Sequence, residues 1–147
     1  MSAAEQIPDQ RRWRADSVDT TEVRVAADAA RLHVVRSVVA GLALRADFDL
    51  DAADDLRLAV DEACSSLVRL AIPGTRLVAR FQVAPDAITG KVTVIAAEDA
   101  VLRRDTFGWR VLTTLVTEVT AVARTSEHRT GQLLEIEFVK VRREAIP

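Results

Sequence analysis

The segment 54–71 constrains the fold of this chain more than any other part of the sequence. It reads DDLRLAVDEACSSLVRLA. Its apolar residues recur every three or four positions, which is the period of an amphipathic helix. They form a single stripe, made of Leu56, Val60, Ala63, Leu67 and Ala71. The sequence therefore predicts a helix whose apolar face is buried against another part of the fold.

Residues on either side of this segment predict where its helix begins and ends. Asp47–Asp51 reads as a loop, and Asp51 is the expected N-cap. Asp54 then falls at the third helical position, which makes an aspartate version of the capping box. Pro73 and the glycine that follows it are expected to end the helix.

The first part of the chain predicts a strand followed by a helix. Val18–Ala26 alternates apolar and polar residues, as a half-buried strand does. Asp28 is the expected cap of the next helix. Its inward positions are spaced three, four and three apart, at Leu32, Val35, Val39 and Leu42.

The second half predicts a hairpin, a helix and two more strands. Leu77–Val83 alternates, Pro85–Gly90 reads as a turn, and Lys91–Ala97 is the expected return strand. Residues 98–105 read as a polar loop, and Thr106 is the expected cap of a third helix. That helix is expected to turn five apolar residues inward: Val111, Leu112, Leu115, Val116 and Val119. The last strands are expected at Ala121–Arg124 and Leu133–Val141.

The order β-α-α-β-β-α-β-β predicts an α+β two-layer sandwich, with a mostly antiparallel sheet and its helices on one face. Residues 18–141 are expected to form one domain, followed by a C-terminal tail at 142–147. Residues 1–17 are polar and aperiodic, so an N-terminal tail is expected there. That tail either keeps the protein soluble or docks on a partner through Trp13.

Composition excludes several classes of function. The net charge is −2 with acids and bases intermixed, whereas a nucleic-acid surface needs clustered positive charge. Cys64 is the only cysteine, so neither an internal disulfide nor a cysteine zinc site is possible. No apolar run approaches the roughly 20 residues that span a bilayer. The N-terminus has no apolar signal segment, and a cytoplasmic protein without membrane contact is expected.

Two polar residues of the helix at 54–71 are candidates for chemistry. Glu62 lies away from the apolar stripe, and Ser66 follows one turn later on the same side. From their spacing alone they are read as an ordinary solvated helix face, which is the default pattern of a surface helix. His33 and His128 are far apart in sequence, so neither a metal site nor a serine-histidine triad is supported.

The run LRLAVDEACSSLV resembles the first conserved box of the GHKL (histidine kinase-like) ATPase superfamily. It is most similar to the RsbW type, which are anti-sigma factors that double as serine-protein kinases. The resemblance covers residues 18–141 and implies a GHKL (Bergerat-like) fold that binds ATP and Mg²⁺. It implies that Glu62 is the catalytic general base. Ser66 stands where the family has the asparagine that holds Mg²⁺.

The remaining family boxes are carried over with larger departures. The family's second box is an aspartate before a glycine run, but residues 95–102 contain no glycine, and only Glu98 or Asp99 stands near that place. These acids are otherwise read as part of a polar loop. The glycine box at the next helix is reduced to Gly108, with Arg110 as a candidate phosphate contact.

The resemblance also implies partners. Family members sequester an alternative sigma factor, are released by an anti-anti-sigma protein of the STAS type, and usually form homodimers. Their partner surface points in this chain to Arg31, Arg36 and Arg45, which a solvated face explains equally well. Two alternatives stand beside a pure anti-sigma factor: an active ATP-dependent serine-protein kinase, and a degenerate GHKL module with another partner.

Overall fold

The computed structural model describes residues 19–125 and 130–143. A 3-10 turn, Ala29–Arg31, precedes the first α-helix. Three α-helices lie in this part of the chain: α1 Leu32–Arg45, α2 Leu50–Val68 and α3 Phe107–Leu115. Five strands accompany them: β1 Thr20–Ala26, β2 Arg76–Val83, β3 Ala87–Ala96, β4 Glu118–Thr125 and β5 Gln132–Val141.

The strands form one open sheet in the order β1-β2-β3-β5-β4. Every neighbouring pair is antiparallel. In the middle of the sheet, Val92 pairs with Ala79 on one side and Ile136 on the other. This arrangement confirms the predicted fold class, an antiparallel sheet combined with helices. The strand order was not part of that prediction.

The core lies between one face of the sheet and the helices. Val92 and Ile136 on the sheet and Leu56 and Val60 on α2 are all fully buried. Lys140 extends from the same face of β5. Its Nζ donates to the backbone oxygen of the last residue of α3 at 2.8 Å and contacts a carboxylate of α2 at 3.1 Å. The helix layer is therefore joined to the sheet by polar contacts as well as by apolar burial.

The predicted ends of α2 were wrong. Asp49, not Asp51, is the N-cap, because its backbone is extended and its Oδ1 accepts from the backbone N of Ala52 at 2.7 Å. Asp51 already lies in the first turn. At the other end the helix stops at Val68, and Ala71 instead forms an isolated bridge to β3. The residue before a proline disfavours helical backbone, so the chain becomes extended before Pro73.

The predicted turn Pro85–Gly90 was too long. Ala84 and Ala87 exchange backbone hydrogen bonds, and β3 starts at Ala87. Gly90 is therefore a strand residue. Its glycine identity reflects packing, because a Cβ built there would lie 2.4 Å from the ring of Phe138 on β5.

The third helix is shorter than predicted. It ends at Leu115, with Val116 as its C-cap, and Val119 belongs to β4. Val119 is fully buried, so its inward position was right although its element was not. The run Val116–Ala123 is rich in β-branched residues, which favour strands, and this explains why β4 begins earlier than expected.

Three of the predictions fall on residues outside the described ranges. These residues are the N-terminal segment 1–17, His128, and positions 144–147 of the expected C-terminal tail. Arg142, at the start of the expected C-terminal tail, is held against the helix layer. It donates to the backbone oxygens of Ala46, of Asp47 at 2.8 Å and of Pro85 at 3.0 Å, and its guanidinium lies 4.5 Å from the ring centroid of Phe48.

Two glycine-to-alanine substitutions test this packing. Gly90→Ala forces a methyl group against the buried ring of Phe138, so we expect a loss of about 1–3 kcal/mol in unfolding free energy. Gly41→Ala is the matched control, because nothing lies within 4 Å of its added methyl group on α1. It should gain about 0.5–1 kcal/mol. Urea unfolding midpoints measure both, and equal shifts would contradict the packing.

Candidate functional site

The site predicted from the sequence begins on α2. Glu62 and Ser66 are half-buried on this helix, whereas Val60 and Cys64 beside them are fully buried. The helix therefore packs its apolar stripe inward and leaves the two polar side chains at the margin of the core, as their spacing predicted.

The carboxylate of Glu62 lies against the start of α3. A Cβ built on Gly108 would be 2.6 Å from Glu62 Oε2, so the missing side chain of Gly108 is what makes room for the carboxylate. Within 19–125 and 130–143, no lysine, arginine or histidine lies within ion-pair distance of Glu62. The carboxylate therefore meets a helix N-terminus rather than a cation.

The first turn of α3 has the properties of an anion-binding helix end. Thr106 is its N-cap, as predicted, and accepts from the backbone N of Trp109 at 3.1 Å. The other first-turn N–H groups have no partner inside the helix, and the helix dipole favours negative charge there. Trp109 is buried, but Phe107 is 81% exposed and Arg110 is also exposed.

The loop between β3 and α3 is held in place by Gln132 of β5 and by its own Arg104. Gln132 Nε2 lies 2.9 Å from the backbone oxygen of Ala97, 3.3 Å from that of Glu98 and 2.6 Å from that of Ala100. Its two protons are thus shared among three acceptors. Arg104 donates to the backbone oxygen of Ala121 at 2.7 Å. The segment predicted as a polar loop is therefore short and is held to β4 and β5 by hydrogen bonds.

The predicted nucleotide residues are not all drawn together. Glu62 and Gly108 are in contact, but Glu98 lines a cavity of about 330 Å³ on the β4 side, with Arg104 and Gln132. Asp99 is exposed. A larger cavity of about 750 Å³, beside the ends of β1 and α2, contains none of the predicted nucleotide residues. Predicted nucleotide residues thus meet at the contact between Glu62 and Gly108 and not in the larger cavity.

As placed, these residues do not fit a Mg²⁺-nucleotide. The carboxylate of Glu62 occupies the space beside Gly108, and its negative charge would repel a phosphate approaching α3. In the part of the chain that the structure describes, no three His, Cys, Asp or Glu side chains are grouped to hold a metal ion. The nucleotide and metal roles of Ser66, Glu98, Asp99, Gly108 and Arg110 stay predictions.

The remaining candidates lie on α1 and inside α2. Arg31 and Arg45 are exposed near the two ends of α1. Arg36 instead forms an ion pair with Asp61 of α2, with Nη1 2.7 Å from Oδ1. Burial, reinforced by Asp61, raises the pKa of the Cys64 thiol to about 12, which excludes a reactive thiolate at neutral pH. Cys64 is fully buried and belongs to the core.

Sequence reasoning missed Gln132, Arg104 and Lys140. Gln132 and Arg104 fix the loop, and Lys140 joins α2 and α3 to the sheet. Except for the bond from Lys140 to the Asp55 carboxylate, which crosses 85 residues, these bonds cross 17 to 35 residues of sequence and end on backbone oxygens. Every residue has a backbone oxygen, so no sequence motif shows which side chain will donate a hydrogen bond to a particular one. One signal was present in the sequence. Lys140 is a charged residue at a position where the alternation of β5 predicts an inward-facing apolar side chain.

The family of the chain follows from sequence comparison together with this fold. Residues 25–133 match the family described as the histidine kinase-like ATPase domain, and the chain belongs to that family. It is 36% identical over 115 residues to the Anti-sigma-F factor RsbW of two strains of Mycobacterium tuberculosis. The match covers 77% of this chain and 66% of those relatives, so the chain spans just under two thirds of their length.

The fold is also shared with a solved structure, the RsbU and RsbW domains of Rv1364c from Mycobacterium tuberculosis. The TM-score is 0.60 at 16% identity, over 86% of this chain and 33% of that one. At that identity the likeness concerns the fold. Among the described residues, no helix is both long and apolar enough to cross a membrane.

Gln132→Glu tests the fixed loop. A carboxylate accepts hydrogen bonds but cannot donate to the three backbone oxygens, so we expect the loop to detach. Trypsin should then cleave after Arg103 and Arg104 about tenfold faster. This corresponds to a decrease of roughly 1.4 kcal/mol in the free energy needed to open the loop. The control is cleavage of the same variant after Arg24 on β1, which lies outside the loop and should be cleaved at the wild-type rate. Cleavage after Arg103 and Arg104 at the wild-type rate would show that Gln132 does not hold the loop.

Proposed function

We propose that this protein is an anti-sigma factor that sequesters an alternative sigma factor. The observation that carries the proposal is the 36% identity to the Anti-sigma-F factor RsbW relatives, on a histidine kinase-like domain. Because the chain spans 66% of those relatives, the activity is carried over as a proposal. Binding a subunit of RNA polymerase implies a cytoplasmic protein, and no direct contact with nucleic acid is required.

The exposed face of α1 supports a partner surface. Val34 and Leu44 are 37% and 46% exposed, so this helix presents apolar side chains to solvent. Arg31 and Arg45 lie toward its two ends and form no ion pair with any residue in 19–125 or 130–143. An apolar strip flanked by unpaired cations suits an amphipathic helix with acidic margins. Arg36 contributes less, because Asp61 already neutralises it.

Release and assembly form the second part of the proposal. A STAS-type anti-anti-sigma protein would displace the sigma factor by competing for the same surface, and the protein would act as a homodimer. Competition needs only that the two partners share contacts on one side of the fold. The exposed face of α1 is large enough to offer such shared contacts, since it extends over fourteen residues.

The second candidate is a serine-protein kinase that phosphorylates the STAS antagonist with ATP. Membership of an ATPase-domain family and the presence of Glu62 favour it. Phosphoryl transfer depends on positioning the phosphates and neutralising their charge with metal ions and cations. The contact of Glu62 with Gly108 works against this, because it places a negative charge beside the helix end that would bind phosphate.

Charge reversal on α1 tests the partner surface. Arg31→Glu and Arg45→Glu should each weaken binding to an alternative sigma factor of the same organism by about tenfold, roughly 1.4 kcal/mol, by repelling its acidic margin. Arg76→Glu is the matched control, because Arg76 is exposed on the face of β2 that points away from the buried Leu77, and it forms no ion pair with any residue in 19–125 or 130–143. Calorimetric titration measures all three. If neither α1 variant weakens the complex, the partner binds elsewhere on the protein. If the wild-type chain binds no sigma factor of the same organism, the proposal is wrong.

Labelled ATP separates the two candidates. With a STAS protein of the same organism as acceptor and Mg²⁺ present, we expect the wild-type chain to transfer no phosphate from ATP, because the carboxylate of Glu62 lies beside the helix end that would bind phosphate. Glu62→Ala is the companion variant, since a true kinase would lose transfer when its base is removed. Transfer by the wild type that disappears in Glu62→Ala would establish the kinase instead.

A further inference from the structure

We propose that the nucleotide site of this protein is closed from within, by the carboxylate of Glu62 lying beside the N-terminal turn of α3. Glu62 is then a positioning residue that holds α3 against α2, and not a catalytic base. The closure itself follows from the structure alone. Only its regulatory consequence rests on the proposed anti-sigma function.

The first step is the contact between the two helices. Glu62 Oε2 lies where a side chain of residue 108 would project, and only a glycine leaves that space free. The oxygen lies beside the first turn of a nine-residue helix, whose unpaired N–H groups and dipole attract negative charge. A phosphate bound at this helix end would use the same feature. The carboxylate of Glu62 therefore already lies beside the helix end that a phosphate would need.

The second step is the absence of competing attraction. No cation in the described ranges 19–125 and 130–143 comes within ion-pair distance of Glu62. Arg36 of α1 and Lys140 of β5, which both reach α2, are engaged with Asp61 and Asp55 of that helix. Nothing described in the structure draws the carboxylate away from α3.

The third step is the fixed loop. A lid that admits a nucleotide must move, but residues 97–105 are held by Gln132 through three backbone oxygens and by Arg104 through the backbone oxygen of Ala121. The guanidinium of Arg104 also lies 6.0 Å from the ring centroid of the buried Trp109. Opening the loop would break these contacts together and disturb the start of α3.

The consequence concerns regulation. If the protein is an anti-sigma factor, closure of the nucleotide site means that ATP and ADP cannot control partner binding. Release then depends on the concentration and affinity of the competing partner alone. A Glu62 substitution would affect partner binding only through the placement of α3.

A thermal-unfolding cycle tests the contact. In the wild type, Gly108→Ala displaces the carboxylate, which offsets the gain expected when alanine replaces glycine in a helix. In a Glu62→Ala background the same methyl group enters empty space. The melting temperature should therefore rise by about 3 °C more in that background. Gly41→Ala, remote on α1, should change the melting temperature equally in both backgrounds. If Gly108→Ala also changes it equally in both, Glu62 and Gly108 are not in contact.

A nucleotide titration tests the closure. The full chain carrying Trp13→Phe leaves Trp109, next to Gly108, as the only tryptophan and as a reporter of that helix end. Mg-ATP and Mg-ADP up to about 1 mM should leave its emission and the calorimetric heat unchanged. Saturable micromolar binding would overturn the closure while leaving the anti-sigma proposal intact. Failure to bind a sigma factor would end that proposal and leave the closure standing.

Discussion

The burial of α2 is the constraint on which the rest of the structure depends. Leu56, Val60 and Leu67 are fully buried, and the helix packs against α1, α3 and the middle of the sheet. A helix covered on so many sides can place a polar residue only along a narrow margin. Glu62 lies on that margin, so its position and its contact with α3 both follow from how α2 is packed.

Much of the fold was predictable because each element carries its own period. The stripe of α2 and the alternation in β2 and β5 are local patterns, and each names the face that must be buried. The boundaries failed where local signals competed. The β-branched run that starts at Val116 could continue a helix or begin a strand, and only the pairing of β4 with β5 decides between them. The position of β5 between β3 and β4 has no local signature at all.

The candidate site was predictable residue by residue but not as an arrangement. Glu62 and Gly108 could be identified separately, since one lies on a helix margin and the other near a helix cap. Their contact could not be predicted, because 46 residues separate them and it depends on how α3 approaches α2. The role of Gln132 was equally hidden, since a glutamine that donates to backbone oxygens resembles any polar strand residue before the fold is known.

The presence of Glu62 is weak evidence for phosphate chemistry once its surroundings are considered. A carboxylate beside a helix N-terminus stabilises that helix whether or not a nucleotide is bound. Glu62 therefore has a structural role in this fold that needs no nucleotide. The proposed partner surface is also separate from it. Because α2 lies between α1 and α3 and packs against both, a protein held on the outer face of α1 has no need of the α3 side. Partner binding and nucleotide chemistry are thus separable in this architecture, and the first can persist without the second.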